Sequence, residues 1–156
     1  RGPADHRGDG AGPHPACRVK MAAYRALRDA IRTAGLQSEA FIDGPGIQVN
    51  ETTLRVPDVA VNCDERADDD VRALPNPVVV LEVLSPSTHH LDTVGKFRDY
   101  FRVDSIRHYL MLDPVTRVVL YHRKEDVSVA SGIVGNGQFA LRPPGMMVQV
   151  EALFED

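Results

Sequence analysis

Cysteine is scarce in this chain of 156 residues. The two that occur, Cys17 and Cys63, lie far apart and match no zinc spacing, so buried or incidental thiols are expected in place of a disulfide or a metal site. Charge of one sign is lacking too. With 18 Lys and Arg against 22 Asp and Glu the net charge is -4, which excludes a uniformly basic nucleic-acid coat but leaves room for a local basic cleft. No apolar run approaches the length of a membrane helix, and the opening Arg1-Gly-Pro-Ala-Asp-His6 lacks the apolar segment of a signal peptide. The expectation is a cytoplasmic protein without a membrane partner. Its length fits one ordinary domain.

Large apolar side chains are almost missing from residues 1–16, which are dense in Gly and Pro and cannot bury enough surface to offset the entropy of ordering. A mobile tail is expected there, followed by a single domain over 17–156. From Cys17 to Ala34, Val19, Ala23, Ala26 or Leu27, Ala30 and Ile31 recur at three- and four-residue steps, which predicts a helix stopped by Gly35. Lys20, Arg25, Arg28 and Arg32 take its other faces, as a solvated surface or as phosphate contacts. Short strands are then predicted at Glu39–Ile42, Ile47–Val49 and Leu54–Asn62, separated by turn residues. A charged loop spans Asp64–Asp70. Beyond residue 77 the pattern predicts a strand, a Ser/Pro/His loop, a helix over Thr93–Arg102, a strand over His108–Asp113, and antiparallel strands at Val118–His122, Ser128–Ala130 and Gly145–Val150. This order describes an α/β domain.

A single glutamate interrupts the apolar run Val78-Val-Val-Leu81-Glu82-Val83-Leu84. Such a run, bounded by prolines, reads as a strand covered on both faces, which leaves Glu82 no easy route to water. An unpaired carboxylate there must neutralise or find a cation. A metal site answers that need; a core arginine or a position at the strand end would answer it as well. Upstream, Val56-Pro57-Asp58-Val59 places an acidic residue just inside a second Val-rich strand, where Asp is disfavoured and Pro fits only an edge, a bulge or a strand start. Two carboxylates on neighbouring strands are a plausible pair of hard oxygen ligands for Mg²⁺ or Mn²⁺. In the following helix Val94, Phe97 and Phe101 form an apolar stripe, while Asp92, Lys96 and Asp99 share another face. Lys96 could stabilise charge developing on a phosphate, or it could form an ordinary ion pair with Asp92.

Taken together, Pro57-Asp58, Glu82-Val-Leu-Ser85-Pro-Ser-Thr88, Asp92 with Lys96, and Tyr109-Leu-Met-Leu-Asp113-Pro114 resemble the Uma family of restriction-endonuclease-like proteins, placed in the PD-(D/E)XK nuclease superfamily. The resemblance runs from about Lys20 to the C-terminus. It implies a core with a mixed central sheet flanked by helices, and metal-dependent hydrolysis of a DNA phosphodiester. It further implies that Asp58 and Glu82, with the backbone carbonyl of Val83, bind Mg²⁺ or Mn²⁺. The superfamily's catalytic lysine falls two residues after the glutamate, where this chain has Leu84. Lys96 is the candidate for a lysine that has migrated while keeping its ammonium at the same point.

Supporting roles are open to Ser85, Asp92 and Glu39, and phosphate positioning to Arg98, Arg102 and Arg107. Ser85 and Thr88 also suit turn and capping chemistry, and His89 with His90 suits a surface loop better than a metal cluster. A histidine shortly before the first helix is a tendency of the family; His14 stands in a Pro/Gly setting and receives no role. A small nuclease must usually dimerise to cut both strands, so a homodimer is expected. The alternative is a catalytically inactive module on the same fold that binds nucleic acid or protein.

Overall fold

A computed structural model describes residues 15–85 and 90–155 of the chain. Most of the tail expected over 1–16, with His14, lies outside the described residues, as do Thr88 and His89 of the Ser/Pro/His loop.

Helix α1 (Pro15–Thr33) buries Val19, Ala22, Ala23, Leu27 and Ile31, the stripe that its three- and four-residue spacing foretells. It stops at Gly35, whose φ of 68° suits a residue without a side chain. The strands β1 (Glu39–Ile42), β2 (Ile47–Asn50), β3 (Thr53–Arg55), β4 (Val59–Asn62) and β5 (Pro77–Val83) precede helix α2 (His90–Phe101). After it come β6 (His108–Asp113), β7 (Val118–Lys124), β8 (Val129–Val134), β9 (Gln138–Leu141), β10 (Met146–Gln149) and a 3-10 turn at Glu151–Leu153. The predicted strand from Leu54 to Asn62 is thus two strands. Pro57 has no N–H to give a ladder, and the chain breaks at Pro57-Asp58 before β4 enters the sheet.

Six strands form one mixed sheet in the order β1-β4-β5-β6-β7-β8, while β2 with β3 and β9 with β10 form separate hairpins. Only β5 and β6 pair in parallel within that sheet, and α2 is the crossover their parallel pairing requires. Val79, Leu81 and Val83 of β5 pack into one core with α1, the β9–β10 hairpin and the C-terminal turn. Val80 and Leu84 point the other way, into a second core built on Tyr100, Ile106, Tyr109 and Met111. A fully buried Val or Leu contributes about 1.5–3 kcal/mol, so β5, apolar on both faces, is the spine of the domain. This is the mixed sheet with helices on both faces that the sequence leads one to expect. No described helix is long and apolar enough to cross a membrane.

Val94 departs from its predicted stripe. It is half exposed, whereas Tyr100, outside that stripe, is fully buried beside Tyr109, with ring centroids 5.3 Å apart. Phe97 and Phe101 pack on the second core as predicted.

Candidate active site

Strand alternation aims Glu82 at α2. It shares a face of β5 with Val80 and Leu84, whose side chains lie in the α2 core, and only 7% of the residue is exposed. Two residues one helical turn apart on α2 meet it. The Tyr100 hydroxyl donates to Glu82 Oε2 at 2.7 Å, and Lys96 Nζ stands 3.7 Å from the same oxygen. Burial nevertheless dominates, pushing the Glu82 carboxyl up to about 7, while Lys96, Tyr100 and the backbone amide of Asp58 favour the charged form and the Asp58 carboxylate opposes it. Position 84, where the superfamily places its lysine, lies on this same face. Leu84 fills it with apolar packing, and the ammonium arrives from the helix.

Asp58 is fixed from three sides. The β4–β5 register pairs Val59 with Leu81, and one further step along it sets Asp58 opposite Glu82. Its Oδ2 accepts from the Val83 N–H at 2.7 Å, and its backbone carbonyl accepts from the Asp43 N–H at 3.0 Å. Lys20 of α1 brings an ammonium to 3.4 Å from Asp58 Oδ1. That contact gives Lys20 a place at the site, a role which the helical pattern alone left undecided between solvated surface and phosphate contact.

The other predicted residues divide. Asp92 pairs with Lys96 at 3.4 Å, the ion pair considered for that helix face, and the same ammonium also reaches Glu82. Ser85 lies two residues beyond the end of β5 and lines, with Leu84, Pro15, Ala16 and Pro114, a largely apolar cavity of about 560 Å³. Glu39 is not brought to the site: it pairs with Asn62 at the far end of β4 and accepts from the Ala67 N–H at 3.3 Å. Arg107 also lies elsewhere. Its N–H bonds to the Val78 carbonyl, four residues before Glu82 and therefore about 13 Å along the strand, and its guanidinium donates to the Lys124 carbonyl. Arg98 is exposed and stands 3.5 Å from Asp99. Arg102, exposed as well, follows the end of α2.

Two contributors stand outside the set that the sequence singles out. Tyr100 could have been found as the residue four beyond Lys96 on the same helix face. Arg55 donates from Nε to the buried Asp99 Oδ2 at 2.8 Å and so ties the β2–β3 hairpin to α2 beside Lys96. Nothing local in the sequence marks that pair, whose members are 44 positions apart.

Among the described residues no cluster of three or more His, Cys, Asp or Glu side chains is placed to hold a metal. The pair Asp58 and Glu82 still fits Mg²⁺ or Mn²⁺, ions that take one or two protein carboxylates and complete their shell with water and phosphate oxygens. The donor set itself, a buried Glu82 carboxyl and an Asp58 carboxyl set opposite it on the neighbouring strand, is the observation on which this fit rests.

A solved structure titled as that of a "putative nuclease belonging to DUF820" from Anabaena variabilis has the same fold: the TM-score is 0.66 at 12% identity, over 92% of this chain and 82% of that one. An uncharacterized protein of Synechocystis is 38% identical over 79 residues, which span 50% of this chain and 42% of that relative. The family Uma2, described as "Putative restriction endonuclease", matches residues 10–151, and this chain belongs to it.

Proposed function

We propose that Asp58, Glu82 and Lys96 form the centre of a metal-dependent endonuclease that hydrolyses DNA phosphodiester bonds. The observation that carries the reading is the meeting of a buried glutamate, an opposed aspartate and a helix-borne ammonium, 3.7 Å from the glutamate, in a chain of this family. Asp58 and Glu82, with the carbonyl of Val83, would hold Mg²⁺ or Mn²⁺. Such an ion, when bound, supplies a polarised water and neutralises charge at phosphorus. The chain's own residues do the rest. Tyr100 fixes the orientation of Glu82, the Val83 N–H fixes that of Asp58, and Lys96 places a positive charge where phosphorane charge develops. Asp92 helps hold the Lys96 ammonium in place, and the exposed Arg98 is suited to positioning a phosphate rather than reading a base. A homodimer working in the cytoplasm, each copy cutting one strand, completes the reading.

One observation favours a non-catalytic binding module instead: Leu84 occupies the usual lysine position. Metal-dependent nicking of plasmid DNA separates the two. Active wild type, inactive Asp58→Ala, and Lys96→Met slowed about a hundred- to a thousandfold with its cation retained would support the nuclease. Tight Mn²⁺ binding without cleavage of any nucleic acid would support the binding module, and full activity in Lys96→Met would remove the migrated lysine.

A further inference from the structure

Two cationic side chains reach the carboxylate pair, Lys20 of α1 at Asp58 and Lys96 of α2 at Glu82, while Arg55 of β3 is drawn to Asp99 on α2. Arg55 is committed to the buried Asp99, and Lys96 to Glu82 and Asp92. Lys20 is arranged differently. One of its partners is Asp58 Oδ1 at 3.4 Å; the other, nearer, is Asp43 Oδ1 at 2.9 Å, on an aspartate whose side chain is 63% exposed. Asp43 holds a left-handed backbone with φ 59°, a turn conformation that Asp adopts more readily than most residues with a side chain. The hydrogen bond from its N–H to the Asp58 carbonyl locks this turn to the site. The ammonium therefore bridges two carboxylates, and its flexible stem lets it leave the farther one without losing the nearer.

We propose that Lys20 is a displaceable counter-ion: its ammonium bridges Asp58 and Asp43 until a divalent cation takes Asp58 Oδ1, then withdraws onto Asp43 alone, so that Lys20 and Asp43 together set the cation concentration at which the site fills. The proposal rests on the reading of Asp58 and Glu82 as metal carboxylates. An ammonium and a divalent ion on one carboxylate oxygen repel each other, and each must be screened or moved for the other to bind. Asp43 lowers that cost by receiving the ammonium. Lys20 is thus a positioning residue that acts through Asp58, not a catalytic residue.

Calorimetric titration of Mn²⁺ into the full chain tests this, with wild type, Lys20→Met, Lys20→Arg, Asp43→Asn, the double variant Lys20→Met/Asp43→Asn and Asp58→Ala, each checked by its thermal melt. Asn is tolerated at a left-handed position, so Asp43→Asn spares the turn. Lys20→Met should bind Mn²⁺ about tenfold more tightly than wild type, and Lys20→Arg should stay close to wild type. Asp43→Asn should bind more weakly by a similar factor, but only while Lys20 is present. Unchanged or weaker binding in Lys20→Met, with wild-type binding lost in Asp58→Ala, overturns the counter-ion alone. So does an Asp43→Asn effect of equal size with and without Lys20, which would be direct attraction by Asp43. Absence of binding in both wild type and Lys20→Met overturns the two-carboxylate reading itself.

Discussion

Glu82 shows how one residue can set the pH response of a whole domain. Its burial pushes the carboxyl from 4.5 up to about 7, more than Lys96 and Tyr100 together can offset. A carboxyl whose pKa is raised on folding binds more protons in the folded than in the unfolded state, so stability falls as pH rises between the two values. The cost is absent below about 4.5, grows toward 7 and is constant above. Each pKa unit corresponds to about 1.4 kcal/mol, so the loss is on the order of 3 kcal/mol in metal-free protein. Urea unfolding in the presence of a chelator at pH 5 and at pH 8 measures it. The change should shrink markedly in Glu82→Gln, which is neutral throughout; an equal pH dependence in wild type and variant would show that Glu82 is not the group responsible. The Tyr100 hydroxyl adds a second test, because Tyr100→Phe removes the donor but keeps the ring packed on Tyr109. It should cost about 1.5–3 kcal/mol where Glu82 is ionised, as for hydrogen bonds to charged groups, and much less at pH 5. The same loss at pH 5 and at pH 8 would make the hydroxyl a packing feature only.

At the scale of elements, the site depends on α2 lying where the β2–β3 hairpin can clamp it. Arg55 and Asp99 supply the clamp at 2.8 Å, with Asp99 almost wholly buried and Arg55 a quarter exposed. Removing the arginine leaves the buried carboxylate with only the exposed Arg98 beside it, a change that costs about 3–5 kcal/mol in full burial with no cation left and about 1–3 kcal/mol here, where Arg98 and water reach the site. Arg55→Met should therefore lower the urea midpoint clearly, and Asp99→Asn should recover part of that loss in the double variant. If the two substitutions were additive, Arg55 would be a surface charge and not a clamp. Legibility also varied by element. β6 runs over the residues its apolar pattern predicts, and β5 is offset by one, because runs of Val and Leu covered on both faces leave little freedom in their ends. β9 escaped notice, since Gln138–Leu141 is four residues long and carries only Phe139 and Leu141 as large apolar groups. The break at Pro57-Asp58 was signalled by the proline, but alternation on either side masked it.

For the molecule as a whole, the sequence disclosed which residues were anomalous better than where they meet. Glu82 and Asp58 stood out because each violates the chemistry of the strand around it, and β4 and β5 are neighbours in the sheet, which brings the two together. Arg107 was legible as a cation but not as one at the opposite end of the sheet, because that depends on α2 crossing over before β6 begins. Glu39 lies away from the site because the antiparallel pair sends one end of β1 toward Asp58 and the other away from it. Lys20 lies 38 positions before Asp58, a contact that only α1 packing across the sheet creates. The metal reading comes down to one place, the gap between Asp58 and Glu82. Anomalous diffraction from crystals soaked in Mn²⁺ would locate the cation there. A single strong peak is expected about 2.1 Å from a carboxylate oxygen of each residue, with Lys96 Nζ outside the coordination shell and the peak absent from Glu82→Gln. A peak at the acidic loop Asp64–Asp70, or one that persists undiminished in Glu82→Gln, would contradict that reading.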